Sequence, residues 1–447
     1  MLDLKSQSRM PLDGATNTGI LLDQTFERVR PYLIRTLEQL VRIPSENLPP
    51  RGNENACQVY VAGELESFGL TPDVYPLTAV DGLGSHREYW AGREYADRPN
   101  VNAVVRGRGG GRSLVLAGHI DTVPADTPVK WSHDPFGASI EESRLYGRGA
   151  WDMKAGVAMN LTVLRVLCEL GARPGGDLIF ETVVDEEFGG VNGTLAARLR
   201  GYNADAAIIT EPTNLKICPA QRGGQVVHVE LRGSGGILSQ GETSGRVTEQ
   251  LAHILAAVPA FARERQSRVE IDPYFAGCAE PFAAWVTNIA TGKWGWTQPI
   301  TVPERCWIEI YFQTMPQESG EEAHADFGNW WEATLNARPD LFRNRPAFQL
   351  PMRWLPGCAI PADHPLVMEL QCAARAIGQE PAVEGLDAPS DMYIFQKCFN
   401  TPAVMWGPSG ANAHQADEYV ELESLVQATR ALLQMVHRWC GVEVPTR

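Results

Sequence analysis

Apolar positions recur at helical spacing over residues 22–42 and stop at Ile43-Pro44-Ser45. A second amphipathic stretch, 56–68, ends at Gly69, where a helix-terminating glycine is expected. Beyond it the pattern changes. Short, mostly apolar runs at 101–105, 114–117, 178–184 and 206–210 read as strands. Between them, 153–170 reads as a helix whose Leu161, Leu164, Val166 and Leu167 form a broad apolar face. Alternating strands and helices predict an α/β fold: a mixed, mostly parallel sheet with helices on both faces.

The rhythm breaks near Gln221. Residues 226–231 alternate like a half-buried strand, helices follow near 246–258 and 320–335, and further strands are expected at 306–313 and 347–354. That order suits a small two-layer α+β unit inserted into the larger one. A helix beginning at Asp363 then restores the earlier rhythm. The expected division is a catalytic domain in two parts, 1–221 and 357–447, with an inserted lid, 222–356.

Composition narrows the class. At 447 residues, 44% apolar and 21% charged, the chain has ample material for a core. No apolar run approaches the length of a membrane span, so no membrane partner is expected. The first eighteen residues are polar and lack the apolar centre of a secretory signal. The formal charge of -15 argues against nucleic acid. Nine scattered cysteines without a C-x-x-C pair suit free thiols in a reducing compartment, which points to a cytoplasmic location.

The candidate chemistry sits at strand ends. His119 and Asp121 lie in Ala-Gly-His-Ile-Asp, just after the 114–117 run. Asp152 lies in the Gly-rich stretch Gly-Arg-Gly-Ala-Trp-Asp-Met-Lys, at a helix start. Glu186 and Glu187 follow the 178–184 run, Glu211 ends Ile-Ile-Thr-Glu-Pro-Thr, and His414 follows the apolar run 403–406. In a parallel sheet all of these fall on one edge, where open α/β folds place their sites. Taken singly, each has a bland reading: a structural histidine, a solvated acidic turn, a helix cap. Together they require five coincidences on one edge.

Two imidazoles and three carboxylates (His119, Asp152, Glu187, Glu211, His414) carry a charge of -3, which two divalent cations balance once one hydroxide is counted. Mixed His/carboxylate shells suit zinc first, with manganese or cobalt as alternatives. Asp152 is expected to bridge, with one His and one Glu on each ion. Asp121 is expected to orient His119 by accepting its other ring N–H. Glu186, left over beside Glu187, is expected to serve as general base. The remaining histidines lack companion ligands.

These segments resemble the M20 metallopeptidase family over roughly residues 25–440, in the right order. The resemblance implies a di-metal catalytic domain, hydrolysis of an amide-type C–N bond in a small-molecule substrate, and a lid that mediates a homodimer. The family roles fall on His119, Asp152, Glu187, Glu211 and His414 as ligands, Asp121 as orienter and Glu186 as base. Glu211, in place of Asp, looks more like the deacetylase and desuccinylase branch. Two lid positions depart from the pattern. Where the family carries an oxyanion-stabilising His, Ile237 stands, and where many members carry an Arg before a Pro, Gln313 precedes Pro316. His228, Gln240 and Arg246 are candidate substitutes for the missing His. Asn288 resembles a family position near substrate. Trp285, Trp294 and Trp296 form either an aromatic binding wall or part of the lid core. The expected reaction is hydrolysis of an N-acyl amino acid or related amide. The alternatives are ammonia release from an aromatic amine, motivated by the altered lid, and a catalytically silent binding protein of the same fold.

Overall fold

Leu114–His119 is buried along its whole length. The computed structural model, which describes residues 17–125, 130–233, 246–292 and 302–445, sets this strand near the middle of a nine-stranded sheet. It pairs in parallel with Leu178–Val183 on one side and Ala207–Ile209 on the other, and Ala403–Met405 continues in parallel beyond Ala207–Ile209. Toward the flanks the ladders turn antiparallel. Pro99–Val105 and Asp73–Pro76 extend one side, and Ile217–Gln221 and Cys358–Ala359 extend the other. Val383–Leu386 adds a parallel partner to Ile217–Gln221.

The central strands are apolar throughout because both of their faces are covered. Leu114 and Leu116 enter one core, with the helices Asn17–Arg42, Lys154–Leu170 and Leu422–Cys440. Val115 and Ala117 enter another, with Met392, Tyr393 and Phe395. The four parallel strands end together at His119, Val183, Ile209 and Met405, so the segments after them converge on one edge.

A second sheet takes up the chain between Gln221, which leaves the first sheet, and Cys358, which re-enters it. Its order is Ala284–Thr291, Arg305–Thr314, Gly223–Arg232, Phe348–Gln349, all antiparallel. The helices Val247–Arg268 and Gly320–Ala337 cover one face, through Val227, Val229 and Leu231 from the sheet and Ile254, Phe261, Phe327 and Trp331 from the helices. Ser319 starts the second helix with a reciprocal capping box to Glu322.

Two features of this layer differ from the expectation. Ala284–Thr291 is a full strand that the sequence pattern does not announce, because it lies at the sheet's edge and most of it is solvent-exposed. The Val247–Arg268 helix also runs on through Pro259, against the expected end near Val258. Phe261 and Arg265 are both buried, so the gain from packing the next two turns outweighs the lost backbone bond at the proline. No described helix is long and apolar enough to cross a membrane.

Candidate metal centre

Three of the four parallel strands deliver a candidate ligand within a few residues of their C-terminal ends. The fourth, Ala403–Met405, leads to His414 through a short strand, Gly410–Ala411, and Asp152 comes from the loop ahead of the Lys154–Leu170 helix. That loop is built to hold one shape. The buried carboxylate of Glu418 accepts from the backbone N–H groups of Gly149 (3.0 Å), Trp151 (2.9 Å) and Asp152 (3.0 Å) and from Arg148 Nη1 (2.7 Å). Buried Lys154 donates from Nζ to the carbonyls of Leu40 and Ile43, both at 2.8 Å, and so ties the loop to the C-terminal end of the first helix.

Asp152 stands between the two histidines. Its Oδ1 is 3.4 Å from His119 Nε2, and its Oδ2 is 3.3 Å from His414 Nε2. Glu187 Oε2 lies 2.8 Å from His414 Nε2, while its Oε1 accepts from the Val123 N–H at 3.2 Å. Glu211 Oε1 and Glu186 Oε2 approach His119 Nε2 to 3.8 and 3.9 Å. One donor atom each from His119, Asp152 and Glu187 lie within 4.8 Å of one another. The structure therefore gathers the other four predicted ligands and Glu186 around Asp152. His414 reaches its place from a left-handed backbone, φ 61°, which an L-residue adopts only when its surroundings impose it.

Asp121 is placed as expected but works differently. The ring Nδ1 of His119 meets the backbone carbonyl of Asp121 at 2.9 Å, and the nearer carboxylate oxygen is at 3.6 Å. The carboxylate is turned away to gather other donors. Its Oδ2 accepts from Asn47 Nδ2 (2.9 Å) and from the backbone N–H groups of Glu186 (2.9 Å) and Glu187 (3.1 Å). Thus the carbonyl orients His119, while the side chain shapes the turn that presents the two glutamates. Asn47 also donates to Asp185, which accepts from Tyr95 and lies 3.5 Å from Arg93.

Sequence reasoning missed Glu418, Asn47 and Asp185. Glu418 sits four residues after His414 in the same motif, so its carboxylate was in view without a stated partner. Asn47 offered no local signal.

The electrostatics are those of a cluster suited to binding cations. Burial, reinforced by neighbouring carboxylates, pushes the carboxyls of Glu186 and Glu211 well up. Burial and the Asp152 charge push Glu187 up to about 7. Burial opposes charge on His119, yet Glu211, Asp152 and Glu186 together raise it well above the ordinary imidazole range. Asp152 and Glu187 raise His414 to about 11 against the same burial penalty. Asp152 alone is held low, because the hydrogen bonds from both imidazoles outweigh its burial. Imidazole and carboxylate donors gathered in this way fit divalent transition ions.

The predicted lid residues are not part of this cluster. His228 lies on the open face of the second sheet, with Nε2 2.8 Å from Glu309, and Asn288 lines the same shallow cavity of about 560 Å³. Arg246 precedes the Val247–Arg268 helix and lies 3.8 Å from Glu249. Among the described residues none of the three has a hydrogen bond or ion pair to the His119 cluster. Trp285 is not lid core: it is 44% exposed and stacks on Tyr311, while Trp330 and Trp331 fill the core. Gln313 is buried and donates to the Asp387 carbonyl. Ile237, Gln240, Trp294 and Trp296 lie outside the described residues.

Comparison with known proteins agrees with this geometry. The chain is 26% identical over 448 residues to the N-formyl-4-amino-5-aminomethyl-2-methylpyrimidine deformylase of Bacillus subtilis, covering 94% of this chain and 97% of that one. Its fold is similar to that of human carnosine dipeptidase 1, with a TM-score of 0.73, 16% identity, and 95% and 100% of the two chains covered. It is also similar to a dinuclear metal-binding peptidase of family M20 from Bacillus subtilis, with a TM-score of 0.60, 15% identity, and 93% and 99% covered. The model of peptidase family M20/M25/M40 matches residues 115–438, from the strand that ends in His119 to the last helix, and the chain belongs to that family.

Proposed function

We propose that this chain is a two-metal hydrolase that cleaves the amide C–N bond of a small N-acyl amine, with N-formyl amines the first class to test. Hydrolysis of an amide-type C–N bond with the help of metal follows from family membership and from the deformylase relatives. The two-ion arrangement is carried by one observation: the two oxygens of Asp152 face the Nε2 atoms of His119 and His414 on opposite sides. His119 with Glu211 would hold one ion and His414 with Glu187 the other, with Asp152 shared. Zinc is the first choice for this donor set, with manganese or cobalt as alternatives. Bound there, the ions would polarise the substrate carbonyl and lower the pKa of a water ligand.

Glu186 is the proton carrier. Glu187 is fixed by His414 and by the Val123 N–H, whereas the Glu186 carboxylate takes no hydrogen bond among the described residues. It is therefore free to accept a proton from the attacking water and deliver it to the leaving nitrogen. The Asp121 carboxylate keeps the Glu186 backbone in place while this happens.

The test is turnover of metal-loaded protein on a panel of N-formyl amines, aminomethylpyrimidines among them, and N-acetyl amino acids. Release of formate or acetate that stops on chelation supports the reading. Chelator-insensitive turnover, or a wild-type rate in Glu186→Gln, contradicts it.

A further inference from the structure

The turn Asp185–Gly190, which carries Glu186 and Glu187, is gripped from two sides by parts of the chain far apart in sequence. On one side is the return strap of the inserted layer, residues 350–357, between the strands Phe348–Gln349 and Cys358–Ala359. A Cβ added to Gly189 would meet Met352 Cε at 2.7 Å and Leu355 Cδ1 at 3.1 Å, so strap and turn are in close contact. The strap is in turn fastened to the inserted sheet. Leu355 exchanges backbone bonds with Gly224, and the Met352 carbonyl accepts from Gln225, whose own oxygen meets His324 at 2.8 Å. On the other side is the segment 88–95. Arg93 donates to the Phe188 carbonyl at 3.3 Å, lies 3.5 Å from Asp185 and stacks over Trp90 at 4.1 Å. Trp90 is pinned to Asn192, just past the turn, at 2.9 Å.

One cluster joins the two sides. Arg353, in the middle of the strap, pairs with Glu88 and donates to the Tyr393 hydroxyl, which itself donates to Glu88 at 3.3 Å. Arg353 and Glu88 are both largely buried. The three residues come from the strap, from the 88–95 segment and from the last third of the chain.

We propose that the Arg353–Glu88–Tyr393 cluster is a clamp that holds the strap against the turn and so sets the position of Glu186 and Glu187. Arg353 is then a positioning residue for the reaction proposed above: it acts through Met352, Leu355 and Gly189 and touches no reacting atom. This inference rests on the reading of Glu186 as proton carrier, but the clamp can be measured without it. Breaking a pair that joins two jaws loosens what lies between them. Reversing the pair restores the grip if charge complementarity is what matters, whereas a contact that only adds stability leaves the turn unmoved.

The experiment uses the full metal-loaded protein as wild type, Arg353→Ala, Glu88→Ala and the exchanged pair Arg353→Glu/Glu88→Arg. Hydrogen exchange of the amides at 186–190 is read beside kcat and KM on the best substrate of the panel. In both single variants the clamp predicts exchange at least about tenfold faster at 186–190, kcat down about tenfold and KM within about twofold, since small displacements of reacting groups act on the chemical step. The exchanged pair should recover most of both losses. Tyr393→Phe, which keeps the ion pair, should show a smaller form of the same change. Unchanged exchange at 186–190 in the folded single variants overturns the clamp, and so does an exchanged pair no better than either single change. If the wild type hydrolyses nothing on the panel, the functional reading fails while the exchange data still decide the clamp. Should Arg353→Ala not fold, Arg353→Gln and Glu88→Gln carry the same comparison.

Discussion

The two sheets of this molecule handle their polar groups in opposite ways. At the C-terminal edge of the central sheet, His119, Glu186, Glu187 and the Asp152 loop each have a dedicated support. The Asp121 carbonyl meets His119, the Asp121 carboxylate takes the Glu186 and Glu187 amides, and Glu418 takes three amides of the Asp152 loop. On the open face of the inserted sheet, His228 finds Glu309, and Glu309 also takes Thr287, but Trp285 and Trp307 stand half in solvent. The first region holds charges in place at the cost of burying them, an arrangement suited to binding cations. The second leaves its aromatic rings and much of its polar surface to solvent.

That contrast orders the consequences of mutation. The largest falls on rate. Glu186→Gln should lower kcat by about 10²- to 10⁴-fold while metal content stays at the wild-type value. Loss of metal along with rate would make Glu186 a ligand and remove the distinction drawn from Glu187.

Next comes Glu418→Ala, which leaves Arg148 buried without its partner and frees three loop amides. Removing one member of a buried pair costs about 3 to 5 kcal/mol, measured by chemical denaturation. A change below about 1 kcal/mol would show that the Asp152 loop keeps its shape without the Glu418 carboxylate. At the other end of the scale, His228→Ala breaks only an exposed pair and should shift stability by about 0 to 1 kcal/mol.

Between these lies a pH effect with a definite sign. In metal-free protein Glu187 is raised to about 7 and Glu186 and Glu211 are raised as well, so the native state binds more protons than the unfolded chain above the usual carboxylate range. Stability then falls as pH rises through about 7. The raised histidines act in the same direction, since the stability they contribute is lost as pH climbs toward about 11. Metal binding requires the deprotonated ligands and releases those protons, so the metal-induced gain in Tm should grow from pH 6 to pH 8. A gain that is flat or shrinks over that range would separate these groups from the metal.

The same contrast explains what could be read in the sequence. His119, Glu187, Glu211 and His414 each follow an apolar run, and parallel strands align their ends, so the edge could be reconstructed from spacing alone. The carbonyl of Asp121 could not be told from its carboxylate, because both lie within reach of the ring and only the turn geometry chooses between them. Glu418 was visible as a residue but not as the holder of a loop more than 260 positions earlier in the chain. In the inserted sheet, alternation marks the face that packs on the helices and says nothing about the other face. The edge strand Ala284–Thr291, mostly exposed, left no pattern at all, and Trp285 carries no sign of being outside the core.

The central claim is that one carboxylate, Asp152, is shared by two metal ions. It is tested most directly by the metal content of purified chains, equilibrated with zinc and freed of excess, for the wild type and Asp152→Ala. The account predicts two ions per wild-type chain and fewer than one in the variant, because both sites lose the ligand they share. One ion or fewer in the wild type, or two retained in Asp152→Ala, would contradict it.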